Sequence, residues 1–289
     1  MKKVLLVAVC ALMLLGCEDA SAKLKSGNDA VVTLGGSKVT KNQMYEILRT
    51  QDAGETAVTL AKNYILEKEI ENTDEIETKA QEELASVKEA LGENWELYLS
   101  YYGYASEEDC YQNDILPSVK EQFLLNKYVE EQWEDLKVYW YPTKVKMIET
   151  ESADDANAAL TEVKEGAEFE TVAAKYTTKS DDLYDGAEHL VSRADQDTLP
   201  SMVISFLREN TSPTVSAVLN SNDLTKFYVV QVIACNPDQY KEEAVELISS
   251  QDDLSDEAMA YYFKKYNFHV YDISLLNDMK SNYPSYLNQ

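Results

Sequence analysis

The sequence is poor in the side chains that build disulfide networks and metal sites. Its 289 residues include only four cysteines and two histidines. Cys10 and Cys17 lie in the first segment of the chain, which leaves Cys110 and Cys235 as candidate thiols. Two thiols so far apart in the sequence are too few for a disulfide framework or a zinc site. We therefore expect neither in the folded chain.

The short motifs of common cofactor and hydrolase sites are also absent. His189 and His269 do not stand with carboxylates at metal-ligand spacing, and the sequence has no glycine-rich nucleotide-binding pattern. It also lacks the G-x-S-x-G turn that presents a nucleophilic serine. The sequence predicts a protein that binds no metal and needs no cofactor.

Basic residues are scarce relative to acidic ones. The chain has 26 lysines and arginines against 52 aspartates and glutamates, a formal charge of −26. Such a surface repels phosphate backbones and anionic lipid headgroups. We therefore expect no nucleic-acid binding. We also expect the chain to be held at a membrane by lipid and not by a basic patch.

The amino terminus carries an apolar run that is too short to cross a bilayer. Residues 4–15 follow Lys2 and Lys3 and end in Leu15-Gly16-Cys17, whereas a spanning helix needs about 20 apolar residues. The run resembles the signals of bacterial lipoproteins, in which the cysteine thiol receives a diacylglycerol before cleavage. It predicts a signal peptide over 1–16 and lipidation at Cys17, and acyl chains supply durable anchoring. The alternative is an ordinary secretory signal with a chance cysteine.

After this signal the sequence predicts a tether and then a helical segment. Residues 17–29 are small and polar without periodicity, as in a flexible linker. Thr40 and Gln43 have the spacing of a capping box and predict a helix start. A solvated helix is expected over 74–91, and a long one from Ser106 to about residue 136. We assign residues 30–141 to an amino-terminal helical lobe.

The character of the chain changes after Pro142. Residues 142–237 predict the order β-α-α-β-α-β-β, with strands expected over 145–149, 214–219 and 227–233. This is a compact α+β domain of ordinary size. Residues 238–289 turn helical again around a strand-like break at 267–271, and we expect them to pack back on the amino-terminal helices. The predicted fold class is α+β, with an α+β domain inserted into a mostly helical lobe.

Several stretches of the chain resemble the PrsA-type foldase lipoproteins, relatives of the SurA family of extracytoplasmic chaperones. They are Gly36–Thr40, Trp95–Leu99 with Tyr102-Gly103 and Ser106–Asp109, and the tail from Tyr261 to Asp272. None of them is catalytic, so the resemblance rests on their order behind the lipoprotein signal. It covers nearly all of the chain beyond that signal.

The resemblance implies that residues 142–237 are a parvulin-type prolyl isomerase domain with an altered site. Such a domain lowers the barrier of about 18–20 kcal/mol to rotation about an X-Pro bond. The family's first-strand histidine falls at Lys146, its acidic position at Ala187 and its last-strand histidine at Tyr228. Met202 and Phe206 fall where the family contacts the proline ring, so an apolar groove is expected without its polar set.

Two nearby side chains are candidates to replace the lost groups. His189 follows Ala187 and could have moved into the site, although a loop histidine is more often just an exposed side chain. Cys235 follows the last strand and could act as a migrated thiol, although small cysteines near a core usually pack as apolar groups. Cys110 reads only as a residue on one face of a helix.

The leading functional hypothesis is a lipid-anchored extracytoplasmic chaperone that holds unfolded secreted polypeptides, with a parvulin-like domain of weak or no activity. The first alternative is an active prolyl isomerase, and the second is a solute-binding lipoprotein. The absence of a repeated βα pattern speaks against the second. The sequence leaves open whether two copies associate as a homodimer.

Overall fold

The chain divides into two compact units. The structure, a computed structural model, describes residues 24–49, 53–177, 182–194 and 198–288. Unit 1 consists of the described residues up to Leu124 together with those from Asp256 onward, and unit 2 is Leu125–Ser255. The expected signal peptide, Cys17 and most of the expected tether lie outside the described residues.

Unit 1 begins with a hairpin that leads into a helix. Strand β1 (Ala30–Leu34) pairs antiparallel with β2 (Ser37–Thr40), and Gly35 and Gly36 make the turn with φ values of 55° and 86°. The backbone N–H of Thr40 donates to Gln43 Oε1 over 2.9 Å, and the Gln43 N–H donates to Thr40 Oγ1 over 3.3 Å. These reciprocal bonds form the predicted capping box.

The helices that follow account for most of the amino-terminal part of the chain. They are α1 (Lys41–Arg49), α2 (Ala53–Glu69), α3 (Asp74–Leu91), α4 (Trp95–Tyr102), α5 (Glu107–Cys110) and α6 (Leu116–Glu131). Thr73 Oγ1 accepts from the Ile76 N–H, which starts α3 at the predicted residue. Ser106 Oγ does the same for Asp109 at the start of α5.

The long helix expected from Ser106 to about residue 136 is interrupted. A π-helical turn over Tyr111–Ile115 joins α5 to α6, and Gln132 (φ −105°, ψ 19°) separates α6 from α7 (Trp133–Trp140). The helical stretch therefore ends later than predicted. Tyr141 terminates α7 with a left-handed φ of 43°, and Pro142 cannot continue the helix because it has no N–H.

Unit 2 is built around an antiparallel sheet covered by helices on both faces. After the end of α6 and all of α7, its elements are β3 (Pro142–Thr150), α8 (Ala153–Lys164), α9 (Phe169–Tyr176), β4 (His189–Ser192), α10 (Ser201–Glu209), β5 (Thr214–Val215), β6 (Leu219–Asn220), β7 (Phe227–Ala234) and α11 (Lys241–Ser249). The strand order is β4-β3-β7-β5, with β6 also paired to β7. The unit extends beyond the range 142–237 at both ends.

The central pair of strands, β3 and β7, separates two apolar clusters. On one face Val145 and Met147 of β3 pack with Tyr228 and Val230 of β7 and with α10. On the other face Ile148 and Val229 pack with α8 and α9. The alternation follows the two-residue period of strands, so the unit has the two buried faces that a sheet between helices requires.

The strand expected over 214–219 is two short strands instead. Between β5 and β6, Ser216 donates its N–H to the Val230 carbonyl over 2.8 Å, and its Oγ accepts from the Val230 N–H over 3.0 Å. Because the serine side chain supplies the second bond, the backbone need not continue a regular ladder.

The carboxy-terminal part of unit 1 contains α12 (Leu254–Lys265), apart from its first two residues, and α13 (Ile273–Asn282). Helix α13 packs on α2, and Tyr266 Oη donates to Glu69 Oε1 over 2.9 Å. Tyr262 and Phe263 are fully buried in this region. The part of the tail from Asp256 onward thus packs on the amino-terminal helix α2 within unit 1, whereas residues 238–255, for which the same packing was expected, belong to unit 2.

The strand-like break expected over 267–271 is not a strand. Asn267 takes a left-handed φ of 51° directly after α12, and the Phe268 N–H donates to the Phe263 carbonyl over 2.9 Å. These bonds close the end of the helix. Of the apolar residues that predicted a strand, Phe268 takes part in this closure, and its ring centroid lies 4.8 Å from that of Phe263.

The described part of the chain has the predicted class, an α+β fold that is mostly helical. Over those same residues, no helix is both long and apolar enough to cross a membrane.

Substitutions at two glycines of unit 2 that have positive φ can show how tightly the loop before β4 is packed. Gly186 lies in that loop, and Gly166 serves as the comparison. At Gly186 (φ 82°) an added Cβ would lie 2.7 Å from Ala173 Cβ and 2.7 Å from the Phe169 carbonyl oxygen, whereas at Gly166 (φ 96°) it would meet nothing within 4 Å. We expect Gly166→Ala to cost about 1 kcal/mol of stability from backbone strain alone. Gly186→Ala should cost roughly 2–5 kcal/mol because overpacking adds to the strain. Urea unfolding followed by circular dichroism measures both, and equal losses would contradict the packing of this loop.

Candidate functional site

The face of the sheet that carries Tyr228 is the candidate site of unit 2. Tyr228 stands opposite Glu149 in the pairing of β7 with β3, and Val230 stands opposite Met147. Residues paired across two strands project from the same face. The β3 residues that share a face with Tyr228 are therefore Val145, Met147 and Glu149.

Lys146 lies on the opposite face. Its neighbours Val145 and Met147 belong to the cluster that contains Tyr228, so alternation turns Lys146 toward the side of α9. There its Nζ lies 2.5 Å from Glu170 Oε1. The structure thus does not bring Lys146 and Tyr228 together, although the resemblance places both family histidines at these positions.

Tyr228 is a buried phenol held among aromatic and charged neighbours. It is 4 % exposed, and its ring centroid is 5.8 Å from that of Tyr184. Burial, followed by the negative charge of Glu149, raises the pKa of Tyr228 to about 12. The phenol therefore keeps its proton at neutral pH and can donate a hydrogen bond, but it cannot act as a base.

Glu149 forms a largely buried ion pair with Lys226. The Lys226 Nζ lies 2.8 Å from Glu149 Oε1, and only 5 % of the Glu149 side chain is exposed. The hydrogen bond to Glu149 raises the pKa of Lys226. A raised lysine pKa gives stability that is complete below the unfolded-state pKa and lost only as the pH rises through the folded-state value. The pair is therefore formed throughout the neutral range.

Met202 and Phe206 lie one turn apart on α10, and thus on one side of that helix. Phe206 is half-buried and packs against the cluster of Tyr228, whereas Met202 is exposed. The structure brings Phe206 to the candidate site and leaves Met202 at its open side. An apolar surface is therefore present on this face.

Ala187 and His189 belong to a turn organised by Asp185. Asp185 Oδ1 accepts from the Ala187 N–H over 2.7 Å and lies 2.9 Å from His189 Nε2. The hydrogen bond with His189 is the main cause of the lowered pKa of Asp185. His189 pairs with Val145, whereas Tyr228 pairs with Glu149. Val145 and Glu149 are four residues apart on β3, which corresponds to about 13 Å along the strand. His189 therefore does not adjoin Tyr228.

Cys235 lies beyond the other end of β7, beside the buried Arg193. The Arg193 Nε donates to Thr143 Oγ1 over 3.0 Å, and its guanidinium carbon stands 3.7 Å from the centre of the Tyr141 ring. Burial raises the pKa of the Cys235 thiol, partly offset by the positive charge of Arg193. The thiol lines a cavity of about 500 Å³ with Tyr141 and Pro213. It is protonated at neutral pH and is seven residues from Tyr228, so it does not complete the site on that face.

Among the described residues, no group of histidine, cysteine, aspartate and glutamate side chains is placed to hold a metal ion. Cys110 is fully buried in α5, where burial and the carboxylates of Asp114, Asp109 and Glu107 raise its pKa.

Sequence reasoning missed the ion pair and Tyr184. The two-residue alternation from Val145 to Glu149 could have placed Glu149 on the inner face. The partnership with Lys226 depends on the register between two strands that are distant in sequence, so it could not be read from local pattern.

Comparisons with known proteins identify similar solved structures only. No family model matches the chain, and no curated protein matches it. The foldase protein PrsA from Streptococcus pneumoniae is 20 % identical with a TM-score of 0.48, and the alignment covers 90 % of this chain and 100 % of that one. The peptidylprolyl isomerase PrsA from Bacillus cereus is 15 % identical with a TM-score of 0.47, covering 89 % and 99 %. PrsA from Bacillus subtilis is 17 % identical with a TM-score of 0.36, again covering 89 % and 99 %. These are structures of the family that the sequence motifs resemble.

The ion pair at the candidate site can be tested by removing its cation. We expect Lys226→Met to lower the free energy of unfolding at pH 7 by about 2–4 kcal/mol, because it leaves the Glu149 carboxylate buried without its partner. The double variant Lys226→Met/Glu149→Leu should recover most of the loss, since no charge then remains buried.

Lys79→Met serves as the matched control. Lys79 pairs with Glu75 over 3.3 Å, but both side chains are more than half exposed, so its loss should cost less than about 1 kcal/mol. Urea unfolding of the four proteins measures these differences. Similar losses for Lys226→Met and Lys79→Met would mean that the Glu149 pair is no more desolvated than a surface pair.

Proposed function

We propose that the chain is a PrsA-type foldase that works as a membrane-anchored extracytoplasmic chaperone. In this proposal it binds unfolded secreted polypeptides, its domain 142–237 is a parvulin-like unit of weak or no isomerase activity, and Cys17 carries the lipid. The observation that carries the proposal is the state of the Tyr228 face. The sheet and both apolar cores of the unit are formed, but this face holds the buried phenol of Tyr228 where the resemblance expects a histidine, with the Glu149–Lys226 ion pair beside it.

The side chains of this face are poorly suited to assist rotation about an X-Pro bond. The pKa of Tyr228, raised to about 12 by burial and by Glu149, keeps the phenol neutral. The Glu149 carboxylate is engaged by Lys226, and Lys146 turns to Glu170 on the other face. A catalyst must act on a barrier of about 18–20 kcal/mol. The Glu149 and Lys146 charges are both held in ion pairs, and the Tyr228 phenol is hydrogen-bonded to the Glu149 carboxylate, so each of these groups is already engaged.

An active isomerase is the second candidate, favoured by one observation. Met202 and Phe206 still offer an apolar side of α10 next to the Tyr228 cluster. Such a surface can hold a proline ring, and holding the ring in a dry environment could itself lower the barrier. The two candidates differ in whether the rate of cis/trans exchange changes.

An isomerisation assay run beside an aggregation assay separates the two candidates. With a soluble form that begins after Cys17, we expect no acceleration of cis/trans exchange in a proline tetrapeptide over a heat-inactivated control. The same protein should suppress the aggregation of a chemically unfolded secreted protein, because it keeps exposed apolar segments apart. Acceleration that disappears in Met202→Ala or Phe206→Ala would support the isomerase, and a protein with neither activity would remove both candidates.

The lipid anchor is tested separately from the fold. We expect Cys17→Ala to move the chain from the membrane fraction to the soluble fraction and to abolish labelling by a fatty-acid analogue, because acyl chains supply the binding energy. Cys10→Ala is the matched control, since this residue is expected to leave with the signal peptide. Labelling that persists in Cys17→Ala would refute lipidation at this residue.

A further inference from the structure

Helix α4 exposes an unusual concentration of large apolar side chains for its length of eight residues. Tyr101 is 79 % exposed, Leu97 67 % and Tyr102 59 %, while Tyr98 and Tyr104 are half-buried beside them. We refer to these five residues as the tyrosine surface. Isolated exposed apolar residues are ordinary, but a contiguous patch of them marks an interaction site.

The end of α4 draws the rings of the tyrosine surface together. Gly103 closes the helix with a left-handed φ of 80°, and the Tyr104 N–H then donates to the Leu99 carbonyl over 2.9 Å. The turn returns Tyr104 to the helix, where its ring centroid lies 6.4 Å from those of both Tyr98 and Tyr102. The Tyr102 centroid is also 4.8 Å from that of Tyr98 and 5.0 Å from that of Tyr101.

The half-buried rings of this surface, Tyr98 and Tyr104, are held by contacts with the residues beneath them. Tyr98 Oη donates to Asp114 Oδ2 over 3.2 Å, and its ring stacks on the buried Trp95 at 5.6 Å. Burial and the neighbouring Asp114 carboxylate raise the pKa of Tyr104 to about 12. Rings that are already in place lose little conformational entropy when a partner binds. The tyrosine surface is therefore prepared for contact.

The residues around the tyrosine surface in the sequence carry only negative charge. Residues 92–116 contain no lysine or arginine, and their six carboxylates are Glu93, Glu96, Glu107, Glu108, Asp109 and Asp114. Lys88, which precedes this stretch, is engaged by Glu107 at 2.5 Å. A second copy of this acidic chain would be repelled here, whereas a cationic partner would be attracted.

We propose that the tyrosine surface docks segments of unfolded polypeptide in which arginine or lysine stands next to aromatic or aliphatic residues. Cationic groups would lie over the tyrosine faces and near the carboxylates, and the apolar residues would cover Leu97 and the ring edges. This inference rests on the proposed chaperone function and specifies both where a client binds and which client segments are preferred.

Binding of paired peptides tests the chemistry of the surface. Two peptides share the same aromatic and aliphatic residues and carry either arginines or glutamates at the remaining positions. With the full chain in detergent, we expect the arginine peptide to bind at least about tenfold more tightly by fluorescence anisotropy, and its affinity to fall as salt is added. Equal affinity for the two peptides would overturn the proposed preference.

Substitution of the exposed rings tests the location. Tyr101→Ala/Tyr102→Ala should weaken the arginine peptide by roughly tenfold or more, since each ring contributes contact and cation–π attraction. Tyr271→Ala is the matched control, because Tyr271 is also 79 % exposed in unit 1 and its ring contacts His269. Unchanged circular dichroism spectra establish that each variant is folded. Undiminished binding by Tyr101→Ala/Tyr102→Ala, or equal loss in Tyr271→Ala, would refute this docking site.

An aggregation assay on the same proteins separates this inference from the proposed function. Suppression of aggregation that survives in Tyr101→Ala/Tyr102→Ala would leave the chaperone in place and reject the tyrosine surface as its docking site. Ring-dependent peptide binding by a wild-type chain that suppresses no aggregation would uphold the surface and reject the chaperone function.

Discussion

The register between β3 and β7 is the constraint on which the structure of unit 2 depends. Each residue of β3 from Val145 to Thr150 faces a defined partner on β7, and a slip of one position would exchange the two faces of the sheet. Such a slip would bring Lys146 into the cluster of Tyr228 and turn Met147 to the helices α8 and α9. The two clusters are both buried and both apolar, so a charged side chain at either centre would be costly. The apolar faces therefore enforce the register, and the register decides which side chains can meet at the candidate site.

The same register explains how a carboxylate comes to be buried beside Tyr228. The pairing of Glu149 with Tyr228 places the carboxylate on an inner face near the end of the two strands. Lys226 precedes β7 and reaches it there while remaining partly exposed. One partner at the edge of solvent lowers the desolvation cost relative to a fully buried pair. A polar contact thus persists on this face, but it joins groups that neutralise each other and offers no free acid or base.

Local signals and distant contacts account for what sequence could and could not predict. The starts of α1, α3 and α5 depend on side chains three residues away, as at Thr40 and Ser106, and these were predicted correctly. The residues over 267–271 have strand-like composition but close a helix, because the Asn267 backbone and the Phe263 ring determine their conformation. The structure places Lys146 on the face opposite Tyr228, which the resemblance alone could not show. A resemblance aligns residues along a chain, whereas the face of a strand changes with every residue.

Catalysis by unit 2 and client binding by unit 1 would require different kinds of side-chain arrangement. This difference explains how the proposed chaperone function can persist where isomerase activity is lost. Catalysis on the Tyr228 face requires particular polar groups within hydrogen-bond distance of a peptide, and single replacements there remove it. Client binding by aromatic side chains requires exposed area, fixed rings and a favourable field. The tyrosine surface has exposed area, fixed rings and a favourable field. None of these properties depends on a single residue held in a single geometry. Unfolded clients also have no common sequence for a pocket to read, so an adaptable surface suits them better than a specific cleft. In the proposed function, therefore, unit 2 can keep its apolar core and lose isomerase activity while unit 1 continues to bind unfolded clients.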